Sequence, residues 1–66
     1  MHMHTGQTVE MVYLDQAGKI TQRIIEVKRV QGGRIRATCL ATGESRVFLA
    51  VSILTWRSVT KRHAVG

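Results

Sequence analysis

Proline is absent from this 66-residue chain, cysteine occurs once, and Trp, Tyr and Phe occur once each. A lone Cys39 forms no disulfide within the chain, so no covalent staple supports the fold. With three aromatics the core has to be aliphatic, built from Val, Ile, Leu and Met. No apolar run approaches the ~18–20 residues that span a bilayer. The opening Met1-His2-Met3-His4 has no basic stretch followed by an apolar one and does not read as a signal peptide. Together these absences lead to the expectation of a non-membrane protein of a reducing compartment, the cytoplasm. Acids are scarce too, four Asp+Glu against ten Lys+Arg, which leaves a formal net charge of +6.

Chemistry-bearing residues are equally sparse. The His residues stand at positions 2, 4 and 63, near the chain ends, and the acids are scattered at 10, 15, 26 and 44. Nucleophilic catalysis needs a nucleophile, a base and an orienting group held together, and this distribution supplies no such set. A His2-x-His4 pair falls well short of the about four ligands a structural zinc site takes. Gly32-Gly33 precedes an expected strand, so no helix N-terminus is placed to meet a phosphate. The expectation is a non-enzymatic protein with no cofactor and no metal.

What is present is period-two alternation. Thr8–Leu14 reads as a strand with Val9, Met11 and Tyr13 on one side. Asp15-Gln16-Ala17-Gly18 supplies turn chemistry. Ile20–Val30 is a second strand, long enough to bend, and Gln31-Gly32-Gly33 turns the chain again. Arg34–Ala41 alternates most clearly, with Ile35, Ala37, Cys39 and Ala41 facing one way and Arg34, Arg36 and Thr38 the other. Thr42-Gly43-Glu44 closes the next hairpin and Ser45–Phe48 is a short fourth strand. Leu49–Ser52 reads as one helical turn, and Leu54–Thr60 as a fifth strand carrying Trp56. The fold expected is all-β: a small five-stranded antiparallel barrel, SH3-like or Sm-like, with a single helical turn before the last strand. It occupies residues 8–61, between a flexible N-terminal tail over 1–7 and a C-terminal tail over 62–66. Cys39, Phe48 and Trp56 are expected in its core.

Seven of the ten cations are arginine, the side chain preferred where planar, bidentate contact with phosphate is needed. Arg34 and Arg36 share a strand face about 7 Å apart. Arg23 lies on the neighbouring strand and Arg46 opens the strand beyond the next hairpin. Two or three of these can meet on one side of a sheet as an anion cradle, with Tyr13 at the rim. The facing of Arg29, Arg57, Lys61 and Arg62 stays open at this level.

The spacing of Tyr13, Gly18, Arg23 with Ile25 and Val27, Ala37-x-Cys39, Arg46-x-Phe48 and Ile53 resembles the WYL domain family over roughly residues 8–60. The resemblance implies an Sm-like, SH3-type five-stranded barrel of the kind found in bacterial transcriptional regulators. It also implies ligand sensing or nucleic-acid binding through basic and aromatic residues, with Arg23 and Arg46 at family positions. The Trp-Tyr-Leu triplet of the family falls at Gly33-Arg34-Ile35, so Arg34 stands where an aromatic is usual. Val27 replaces the family's proline and Ser52 an arginine.

The function expected is a small regulatory module binding an anionic ligand, above all nucleic acid, through Arg23, Arg34, Arg36 and Arg46 with Tyr13. Two alternatives stand beside it. One is a protein-interaction or self-assembling module that uses an open strand edge. The other is a sensor of a phosphorylated small molecule.

Overall fold

The computed structural model describes residues 3–59. Five strands follow one another: β1 (Thr8–Leu14), β2 (Ile20–Gln31), β3 (Arg34–Cys39), β4 (Ser45–Leu49) and β5 (Ile53–Ser58). A single 3-10 turn over Ala50–Ser52 separates β4 from β5, where the sequence predicts one helical turn. All neighbouring strands are antiparallel, in the order β4-β3-β2-β1-β5. The sheet is open: β4 and β5 lie at its two edges and are not hydrogen-bonded to each other. The expected all-β architecture is therefore present, but as an open sheet and not as a closed barrel. Among the described residues no helix is long and apolar enough to cross a membrane.

One face of the sheet is buried. Cross-strand partners share a face, and the register carries that face through Val9 opposite Ile25, Ile25 opposite Cys39, Val27 opposite Ala37 and Ile35 opposite Phe48. These side chains, with Met11, form the core, and Tyr13, Ala50, Ile53 and Trp56 pack against it. Cys39 and Phe48 are buried and Trp56 is half-buried, as their alternation predicts. Ala41 departs from the expected face because β3 ends at Cys39 and Ala41 lies exposed in the following turn.

The segment before β1 is packed from residue 3 onward and is no tail there. Met3 is only 6% exposed and belongs to the core. Gly6 N–H donates to the Val27 carbonyl, and Val27 N–H donates to that of Gln7. An aliphatic sheet face this small gains by recruiting one more flexible thioether to cover it. The expected C-terminal tail, 62–66, lies outside the described residues.

Two turns fix the register. Asp15 Oδ1 accepts hydrogen bonds from the N–H groups of Ala17 and Lys19 at 2.9 Å each, which closes the β1–β2 turn. At the β2–β3 turn both Gly32 and Gly33 have positive φ, 58° and 76°. That pair of left-handed residues matches a two-residue hairpin to the strand twist. A β-carbon at Gly33 would meet no neighbour, so the cost of replacing it is backbone strain alone. Gly33→Ala is expected to lower stability by about 1–2 kcal/mol, read from chemical denaturation, with no change in the folded-state spectrum.

Candidate anion-binding surface

Two irregularities decide where the arginines point. In β2, Val27 pairs with Ala37, but Arg29 pairs with Arg36. Lys28 is thus an extra residue, a β-bulge, and alternation reverses beyond it. Before the bulge the odd-numbered residues of β2 face the core; after it they face outward. Arg23, opposite Met11, is on the core side. Arg29, opposite Arg36, is on the outer side. A second register shift, between Val12 and Tyr13, leaves Leu54 without a partner on β1 and 53% exposed.

The four arginines singled out in the sequence consequently fall on two faces. Arg34 and Arg36 share the outer face, opposite Leu49 and Val47. Arg23 and Arg46 share the inner face, opposite Met11 and Ala37. Arg46 and Phe48 have the same facing, and β3–β4 pairing is regular through both. Their different exposure comes from their neighbours: Phe48 packs in the core against Tyr13, while Arg46, next to the β3–β4 turn, is ion-paired with exposed Glu44.

On the inner face Tyr13 and Phe48 pack edge to face, with ring centroids 5.1 Å apart and planes at 82°. The Arg23 guanidinium carbon lies 5.8 Å from the Phe48 ring centre, within cation–π range. Arg23 Nε donates to Thr21 Oγ1 at 3.2 Å. The Tyr13 hydroxyl accepts the Leu49 N–H at 3.0 Å, tying β1 to β4 across the open sheet. Tyr13 is therefore first a structural clasp. Arg46 is ion-paired with Glu44 at 3.0 Å, on a well-exposed pair.

On the outer face Arg29, Arg34 and Arg36, with Gln31, Gly32 and Val47, line a concavity of about 520 Å³. All three arginines are exposed, and none makes an ion pair among the described residues. The acids are engaged elsewhere: Glu26 with Lys28, Glu44 with Arg46, and Glu10 with Arg57. Directly opposed residues have β-carbons about 5 Å apart, and like charges there destabilise the sheet. Arg29 and Arg36 hold that arrangement, and Arg34 adds a third positive charge two residues further along. An anion entering the concavity relieves the repulsion and gains planar, two-pronged donors.

Arg29 is the residue whose part the sequence reading left open. Its signal is the spacing of apolar residues in β2: Ile25 and Val27 are two apart, Val27 and Val30 three apart. A change of step inside one strand is what a bulge produces.

The remaining reactive side chain, Cys39, is buried. A hydrogen bond from the Thr42 side chain pulls its thiol below the ordinary value, helped by the backbone at Ala41 and Thr42 and by Arg23, against burial that raises it. Among the described residues no cluster of three or more His, Cys, Asp or Glu side chains could hold a metal ion.

Comparison with known proteins returns no matching family model, no matching curated protein and no matching solved structure.

Proposed function

We propose that the chain is a non-enzymatic regulatory module that binds single-stranded nucleic acid through the outer-face concavity formed by Arg29, Arg34 and Arg36. The observation that carries the reading is the opposition of Arg29 to Arg36 beside Arg34, all exposed and without an acidic partner among the described residues. A duplex groove reader would present a projecting helix or ribbon. A shallow basic hollow with a glutamine and a turn backbone suits a flexible phosphate chain better. Five antiparallel strands in one open sheet support the reading only at the level of an all-β scaffold that carries the concavity; the resemblance to WYL domains is carried by the sequence alone. Arg23 and Arg46, the family-like positions, would meet the strand only where it passes round to the inner rim.

The test is a titration of labelled oligothymidylate and oligouridylate against salt. Three phosphate contacts predict that log K falls against log salt with a slope of about −2. Arg34→Ala/Arg36→Ala is expected to weaken binding at least tenfold and to flatten the slope to that of one contact. An unchanged slope and affinity in that variant would reject the assigned surface. Thermal shifts with single nucleotides that match those with oligomers would instead favour a small phosphorylated ligand.

A further inference from the structure

Among the described residues the first half of β2 is paired on one side only. β1 follows β2 as far as Ile20, but β3 pairing reaches only the Ile25–Cys39 pair. The N–H and C=O of one strand residue point to the same side, and successive residues point to opposite sides. The Val27 groups bond to Gly6 and Gln7, the chain leading into β1. The Ile24 carbonyl accepts the Leu40 N–H from the β3 side. Ahead of the bulge, the even-numbered residues of β2 therefore direct their backbone away from β1. Beyond the Leu40 bond, both backbone groups of Ile20 and Gln22 and the N–H of Ile24 have no backbone partner among the described residues.

Where β3 turns away at Leu40, a groove of about 670 Å³ opens along this edge. Gln22, Arg23 and Ile24 line one side; Cys39, Leu40 and Thr42 line the other. Ile20 is 65% exposed, Ile24 42% and Leu40 46%. Arg23 makes no ion pair among the described residues, and the groove lining contains no acid.

We propose that this edge receives an extended segment of a partner protein as an added strand, with apolar residues alternating with an acidic one. The strand takes the track that β3 leaves. Its backbone satisfies Ile20, Gln22 and Ile24, the main-chain recognition by which strand addition binds. Its side chains alternate between faces. Those on the outer face lie along Ile20, Gln22 and Ile24, and of the two inner-face residues between the ends, the one opposite position 23 meets Arg23. The net charge of +6 favours an acidic partner over a second copy. The outer edges of β4 and β5 are poorer acceptors. Their arginines, Arg46 and Arg57, are already ion-paired with Glu44 and Glu10, so neither offers an acidic segment the unengaged charge that Arg23 does. This surface is separate from the Arg29–Arg34–Arg36 concavity and does not depend on it.

The probe is a fluorescent peptide of alternating isoleucine and glutamate, compared with a scrambled peptide of equal composition and a backbone N-methylated form. Only the alternating, unmethylated peptide is expected to bind, and it should slow amide exchange at Ile20, Gln22 and Ile24. Arg23→Gln should weaken it about tenfold, the loss of one charge-assisted contact. Gln22→Pro removes an edge N–H that does not face β1, and should weaken binding tenfold or more. If that variant fails to fold, the N-methylated peptide makes the same test on the unaltered protein. Binding of oligothymidylate should be untouched by Gln22→Pro. Equal binding of the scrambled or methylated peptide overturns the proposal, as does exchange protection that misses Ile20 and Gln22, or no binding at all. Protection that rises with protein concentration alone would assign the edge to a second copy and overturn it as well.

Discussion

Ile35→Ala is expected to leave most of the chain unfolded at 25 °C. Ile35 is fully buried, faces Phe48 across the β3–β4 pair, and faces Val30 across the β2–β3 pair. Removing such a side chain costs about 2–5 kcal/mol, the transfer of its methylenes plus the cavity left behind. A domain below roughly 70–80 residues rarely commands more than about 3–5 kcal/mol in all. Cys39 is unpaired, so no disulfide compensates. The loss and the reserve are of the same size, and the native state should cease to dominate. Trp56 reports the outcome, since it is the single tryptophan and packs on the core opposite Met11. Its emission should move toward that of the denatured protein at zero denaturant. Val51→Ala is the control: Val51 is 90% exposed and its truncation should shift the midpoint by less than about 0.5 kcal/mol. A cooperative, wild-type-like transition in Ile35→Ala would mean that the core is held by more than this aliphatic sheet face.

Much of the sheet was legible from alternation because one face is buried and the other wet. A strand under that condition must repeat every two residues, and Thr8–Leu14 and the Ile35-Ala37-Cys39 row do so. The turns were legible for a related reason: Asp15, Gly18 and the Gly32-Gly33 pair are the residue types that tolerate their backbone geometry. Three features were hidden. Closure of the sheet depends on whether β4 and β5 bond to each other, and edge pairing leaves no periodic mark in either strand. Met3 looked like a tail residue because a single apolar side chain inserted from an irregular segment has no period at all. The bulge at Lys28 was the costliest omission for function. It reverses every facing beyond it, so Arg23 and Arg29, in phase by simple counting, stand on opposite faces. Arg46 and Phe48 show the same limit from another side. Register puts them on one face, and what separates core from solvent is the packing of Phe48 against Tyr13 and the pairing of Arg46 with Glu44 at the turn.

Arg36→Glu is expected to move stability and nucleic-acid affinity in opposite directions. In the native sheet Arg36 faces Arg29 directly, with Arg34 on the same face. Opposite charges at such a position contribute roughly 0.2–1 kcal/mol, and like charges oppose folding. The substitution turns the repulsive pair into an attractive one, so the chemical denaturation midpoint should rise. Both sites are exposed, which keeps the gain small and makes it fade in high salt. The same change replaces a phosphate-binding guanidinium with a carboxylate and occupies Arg29 internally. Two of three contacts are lost and a repulsive charge is added, so affinity for oligothymidylate should fall by about 100-fold or more at low salt. The joint outcome is diagnostic because ordinary damage lowers both quantities together. A variant that is more stable and still binds would place the nucleic acid elsewhere. A variant that is less stable would show that Arg29 and Arg36 do not repel across the bulge. Arg46→Glu supplies the comparison. Arg46 already pairs with Glu44 and lies on the other face, so its reversal should cost stability through the lost pair and leave the outer-face concavity intact.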